Sequence, residues 1–120
     1  SGDESLLYVA DTGRMHMGDV SEMRVYDVAA DGAVSNGRHF HAISHGHADG
    51  FRLDSDGNIW SSAADGVHCV APDGRLLGKI LLPERAANLC FGGRAKHEMY
   101  ITATTSLYRV TLARNGIQTP

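Results

Sequence analysis

The chain has 120 residues, of which 42% are hydrophobic and 21% charged, a balance that fits a globular domain and excludes a disordered segment. The formal charge is −3 and the basic residues are scattered, which argues against a nucleic-acid partner, since such a protein gathers Lys and Arg on one face. The apolar runs are too short to span a membrane, and no basic-then-apolar leader opens the chain, so the cytoplasm is the default expectation.

In chain order the sequence reads as strand after strand. Residues 6–10 form a β-rich run ended by Asp11-Thr12-Gly13, and residues 23–28 alternate apolar with polar, the period of a half-buried strand. Asp31-Gly32 marks a turn. Further strands are expected over residues 50–53, 58–63, 66–71, 76–82, 87–91, 98–103 and 106–112. Ser55-Asp56-Gly57, Asp65-Gly66 and Pro72-Asp73-Gly74 separate several of them, with proline presetting φ and glycine accepting a positive one. No longer stretch carries a capped helical stripe. The expected fold class is all-β.

The pattern repeats. Leu6-Leu7-Tyr8-Val9-Ala10, Asn58-Ile59-Trp60-Ser61-Ser62 and Glu98-Met99-Tyr100-Ile101-Thr102 each place an aromatic after an aliphatic residue, and a second strand follows each. The unit recurs at roughly 40 to 50 residues, the spacing of propeller blades, and its aromatic is expected to pack between blades. A β-sandwich with coincidental similarity is the alternative. The middle unit has four strands, whereas the first lacks an inner strand and the last an outer one. The chain thus supplies about two and a half to three blades. Propellers close with roughly four to eight, so missing sequence or another chain is expected to complete the ring, because open edges invite aggregation.

Several residues could carry chemistry. Cys69 and Cys90 lie in apolar strand segments and are expected to be free and buried; a disulfide stays open, and the absence of a CxxC pair excludes a zinc ribbon. His39, His41, His45 and His47 make an H-x-H-x3-H-x-H run, read either as metal ligands or as solvated histidines; His39 and His41 would share a strand face and still need a third ligand. Asp49 either caps a turn or presents a hard oxygen to a cation. Asp54, Asp56, Asp65 and Asp73 are turn residues. The run Asp54-Ser55-Asp56-Gly57-Asn58 is not an EF-hand loop, since position six is not glycine and position twelve is Asp65. Trp60 and Tyr100 read as packing aromatics, and no Gly-x-Ser-x-Gly elbow is present.

The stretch from Ala48-Asp49-Gly50-Phe51 through Asp54-Ser55-Asp56-Gly57-Asn58-Ile59-Trp60 resembles the signature of the gluconolactonase/regucalcin family of sugar lactonases, with Ala48 in place of the usual proline. Leu7-Tyr8-Val9-Ala10-Asp11-Thr12, Pro72-Asp73-Gly74 with Gly78 and Leu82-Pro83, Ala87-Asn88-Leu89-Cys90-Phe91-Gly92-Gly93 and Met99-Tyr100-Ile101-Thr102 resemble further family segments in the same order. The resemblance implies a six-bladed β-propeller, with residues 1–120 as the C-terminal half of that single domain. It also implies one divalent metal in the central channel, Ca2+ first and Zn2+ or Mg2+ as alternatives, and hydrolysis of a small-molecule sugar lactone. Of the family's three ligands, a glutamate, an asparagine and the aspartate of the Asp-Gly pair, only the aspartate maps here, onto Asp49. Ser1-Gly2-Asp3-Glu4 resembles the turn just after that asparagine, so the other two are expected upstream. Asp49 is accordingly the implied metal ligand and proton acceptor. Asn88, at the matching inner strand of the next unit, and His47, in the loop before Asp49, are substrate-binding candidates. On this reading the isolated chain is inactive. The rival expectation is a non-catalytic calcium- or ligand-binding propeller segment.

Overall fold

Short alternating runs punctuated by Asp-Gly turns can satisfy their backbone groups only by pairing with their neighbours, and they do so here as antiparallel sheets. The computed structural model describes residues 1–12 and 21–117; Gly13, of the first expected turn, lies outside them. Among the described residues there are ten strands and no helix: β1 (Leu6–Asp11), β2 (Glu22–Val28), β3 (Val34–Ala42), β4 (Phe51–Leu53), β5 (Ile59–Ala63), β6 (Gly66–Val70), β7 (Leu76–Leu81), β8 (Ala86–Gly92), β9 (Glu98–Ala103) and β10 (Leu107–Thr111). They form three sheets in sequential order, β1 to β3, β4 to β7 and β8 to β10. The repeat equates β1, β5 and β9, so the first sheet has no counterpart of β4 and the last none of β7 among the described residues. The fold is that of propeller blades stacked side by side.

The turns work as their residues dictate. The Asp31 carboxylate accepts from the Ala33 amide at 3.0 Å, and the Asp73 carboxylate accepts from the Arg75 amide at 3.0 Å. Gly74 carries φ of +86° and packs so closely on the Phe40 carbonyl that a Cβ could not fit, which docks the β6–β7 turn onto the first sheet.

Alternation sorts the side chains into two cores. Met23, Ile43, Ala48, Ile59, Ala63 and Val70 fill the space between the first two sheets, with Tyr8 and Phe40 against them. Val67, Ala86, Leu89, Phe91, Met99 and Ile101 fill the space between the second and third, with Trp60 against them. Burying one large aliphatic side chain stabilises by about 1.5–3 kcal/mol, so the middle sheet, apolar on both faces, anchors the stack. Two of the three repeat aromatics pack between blades: Tyr8 lies against the core between the first two sheets, meeting Phe40 of its own sheet edge-on at 5.1 Å, and Trp60 meets Phe91 of the third sheet at 6.4 Å and 88°. The third, Tyr100, instead lines a cleft with Cys90, its hydroxyl donating to Glu98 at 2.7 Å.

Two further readings are corrected. The strand β3 escaped the pattern because its sequence Val34-Ser35-Asn36-Gly37-Arg38-His39-Phe40-His41-Ala42 is polar and mostly exposed, as befits an outer edge. Cys69 is buried and Cys90 is exposed, both free. Cys90 sits on the face of β8 opposite Leu89 and Phe91, lining a cleft with Arg52, Asn88, Tyr100, Thr102 and Leu107.

Candidate functional site

The second and third sheets approach each other along β4 and β8, where the Gly50 amide donates to the Ala87 carbonyl at 3.1 Å. Gly50 is there for proximity, since a Cβ would collide with the side chain and Cα of Asn88. The fully buried Ser62 on β5 completes the junction. Its hydroxyl accepts from the amides of Asp49 at 3.3 Å and Gly50 at 3.0 Å, and donates to the Ala87 carbonyl at 3.1 Å. The backbone at 49–50 is therefore fixed, and the exposed Asp49 side chain lines a cleft of about 210 Å³ with Thr12, His47, Arg85, Ala86 and Ala87. Thr12 follows β1, His47 and Asp49 precede β4, and Arg85 precedes β8, so all three sheets contribute to this cleft.

Within it, neither the Asp49 carboxylate nor the Arg85 guanidinium has a hydrogen bond or ion pair to any described residue. His47 is half-buried, and its Nδ1 is shut from solvent without a hydrogen-bond partner. Asn88 is placed differently. It abuts Gly50, but its side chain lines a neighbouring cleft of about 310 Å³ with Arg52, Cys90, Tyr100 and Thr102, and its Oδ1 accepts from the Leu89 amide at 2.8 Å.

The other histidines disperse. His39 Nδ1 lies 2.7 Å from Glu22, and His41 Nδ1 lies 2.9 Å from the Gly74 carbonyl. His45 Nδ1 is 3.7 Å from Asp65. Asp65 also accepts from His68 Nε2 at 2.7 Å and Lys79 Nζ at 2.8 Å. Burial opposes its charge, but these two hydrogen bonds and charges outweigh it and hold its carboxyl down at about 2. Burial pushes the fully buried His68 below its usual value against the pull of Asp65, so its imidazole is neutral at neutral pH. Among the described residues no three His, Cys, Asp or Glu side chains gather as a metal site.

Asp54 is the signature's structural acid. Fully buried, it accepts from the amides of Asp56 and Asn58 at 3.0 and 2.9 Å, and from Asn58 Nδ2 and Trp60 Nε1, both at 2.9 Å. Asp49 and Asp54 thus share a motif but not a role, one open to the cleft and the other consumed by the fold.

The model of the SMP-30/Gluconolactonase/LRE-like region matches residues 1–105, which include every residue of this junction. The chain belongs to this family. Among its relatives, a gluconolactonase from Zymomonas mobilis is 29% identical over 120 residues, covering 92% of this chain and 32% of that protein. The structure of a gluconolactonase from Xanthomonas campestris superposes with a TM-score of 0.82 at 37% identity, over 93% of this chain and 36% of that one. A calcium-binding protein, regucalcin, from Agrobacterium tumefaciens shares the fold at a TM-score of 0.73 and 19% identity, over 88% of this chain and 36% of its own. The chain spans about a third of the length of these relatives.

Sequence reasoning passed over two residues of the junction in this SMP-30/gluconolactonase segment, Ser62 and Arg85. The usable signal for Arg85 was positional: the loop before β8 is the repeat equivalent of the loop that carries His47 and Asp49.

Proposed function

We propose that this chain is one part of a sugar-lactone hydrolase and supplies the Asp49 side of its active site. One observation carries the reading: the aspartate of the family's Asp-Gly pair is a carboxylate without a partner, held by a buried hydrogen-bond junction at a cleft to which three sheets contribute. Family membership and the named gluconolactonase relatives support the same chemistry.

The residues present fit one side of a cation site, since Asp49 offers a hard oxygen with no competing hydrogen bond; they do not make a whole one among the described residues. A bound divalent cation, Ca2+ first and Zn2+ or Mg2+ next, would polarise the lactone carbonyl and stabilise its oxyanion. Asp49 accepts a proton from the attacking water as the water oxygen bonds to the carbonyl carbon. The ring carbon–oxygen bond then breaks, and a proton passes to the released alkoxide, giving a hydroxy acid. His47, which lines the same cleft as Asp49, contacts the sugar hydroxyls on this reading. Asn88 acts through the backbone, packing on Gly50 and so keeping Asp49 in place.

The remaining blades come from an upstream segment or a second chain, which covers the outward face bearing Cys90 and Leu107. The decisive experiment measures acid release from glucono-lactone by the full-length protein, with Ca2+, Zn2+ or Mg2+, for wild type and Asp49→Ala. Turnover is expected to fall about 100- to 10,000-fold in the variant. Wild-type turnover by Asp49→Ala removes Asp49 from the mechanism. Cation binding by the wild type with no turnover on any sugar lactone favours the non-catalytic ligand-binding reading instead.

A further inference from the structure

Arginines in this molecule are mostly spoken for. Arg24, Arg38, Arg75, Arg109 and Arg114 face Glu22, Asp27, Asp73, Glu98 and Asp56 respectively, and Arg52 donates to the Phe51 carbonyl. Arg85 has no partner among the described residues, although two carboxylates are close at hand. Its neighbour Glu84 is engaged elsewhere, accepting from the Thr105 amide at 2.8 Å, the Thr105 hydroxyl at 3.0 Å and the Tyr108 hydroxyl at 3.0 Å. Asp49 lines the same cleft as Arg85 and does not pair with it. The loop itself is anchored: the Thr104 amide donates to the Arg85 carbonyl at 3.2 Å, and Ala86 is buried in the second core. A fixed backbone therefore carries an unpartnered guanidinium and an unpartnered carboxylate on residues that line one cleft of about 210 Å³.

We infer that Arg85 is a substrate-recognition residue that grips the carbonyl end of the lactone and, after ring opening, the carboxylate of the hydroxy acid. This rests on the proposed lactonase reading of the same cleft. The chemistry favours a carboxylate because a guanidinium presents a planar fork of donors that matches two carboxylate oxygens, whereas an ammonium offers only a point charge. The lactone's carbonyl carbon becomes that carboxylate carbon, so one grip serves both ends of the reaction. Binding the lactone carbonyl near Arg85 also turns its electrophilic carbon toward the Asp49 side of the cleft. Arg85 consequently governs both KM for lactone and inhibition by the product.

The test uses D-gluconate as the probe. The full-length wild type and the variants Arg85→Gln, Arg85→Lys and Arg94→Gln are titrated by calorimetry, and gluconate inhibition of lactone turnover is measured in parallel. Arg94 is the control, exposed and unpartnered but not lining this cleft. Arg85→Gln is expected to weaken gluconate binding roughly 10- to 100-fold and raise KM by a similar factor. Arg85→Lys should recover part of that loss, Arg94→Gln should match the wild type, and neutral sorbitol should bind all four proteins alike. The inference is overturned if Arg85→Gln binds gluconate as the wild type does, or if Arg94→Gln loses as much. It is overturned as well if the wild type turns over lactone without measurable affinity for gluconate. Loss of gluconate affinity in Arg85→Gln alongside full turnover in Asp49→Ala would keep the anion grip and discard the proposed proton acceptor, so the two ideas fail separately.

Discussion

Replacing Asp54 by asparagine separates the two acids of the signature. Asparagine keeps an oxygen for the Asp56 and Asn58 amides but turns an NH2 group toward Asn58 Nδ2 and Trp60 Nε1, which are donors themselves. Two charge-assisted hydrogen bonds are lost at a fully buried site, each worth about 1.5–3 kcal/mol, so the cost is about 3–6 kcal/mol. Against a total stability of roughly 5–15 kcal/mol this is a large fraction. Urea unfolding followed by Trp60 fluorescence is the assay, and it reads the damage at its source because the indole is one of the stranded donors. The midpoint should fall sharply, with Tm lower by ~10 °C or more. Asp49→Asn should do the reverse, leaving the unfolding midpoint within about 0.5 kcal/mol of wild type because its carboxylate holds nothing in the fold, while turnover collapses. A wild-type midpoint for Asp54→Asn would refute the structural assignment of Asp54. A loss of stability in Asp49→Asn as large as that in Asp54→Asn would refute the division of roles.

Gly50→Ala drives a methyl into Asn88 and should cost about 1–3 kcal/mol in urea unfolding and displace Asp49, lowering turnover with it. Acid should destabilise the fold in two stages. His68 is held neutral by burial, so the unfolded chain begins to bind the extra proton as pH falls below about 6.5. Asp65, held at about 2 against its ordinary 3.8, contributes stability above pH ~4 that disappears as pH falls toward 2, ~1–2 kcal/mol after solvent screening. Urea midpoints measured from pH 7 to pH 2 check both, and a flat profile would refute them. Thiol alkylation followed by mass spectrometry should label the exposed Cys90 of the 120-residue chain and spare Cys69, whose thiol burial pushes up to about 11. In the completed ring Cys90 should become protected; equal labelling there would count against a blade covering that face.

Local chemistry made most of the strands legible. Period-2 alternation fixed β2, and Asp-Gly pairs fixed the turns after residues 31, 56 and 73, because a positive φ and a side chain capping its own turn are decided within a few residues. The recurring aliphatic-aromatic pair identified the blade repeat, and at Tyr8 and Trp60 the ring fills the gap against a neighbouring blade, whereas Tyr100 faces the outward cleft. The strand β3 was not legible because an exposed outer edge needs no apolar alternation. Cys90 was misjudged because its strand is apolar on one face while the other turns from the core, and the run of letters does not say which face is covered.

By itself, then, the sequence determined the all-β class, the blade repeat and the family, all of which follow from short-range pattern or from motif order, and it nominated Asp49 as the candidate site residue. Only the tertiary structure decided that Ser62 clamps Asp49 and Gly50 to Ala87, that Asn88 packs on Gly50, and that Arg85 shares the cleft of His47 and Asp49. Those relations join residues dozens of positions apart. They exist because separate sheets, each folded by local rules, stack on shared apolar faces and bring their inner loops to one place.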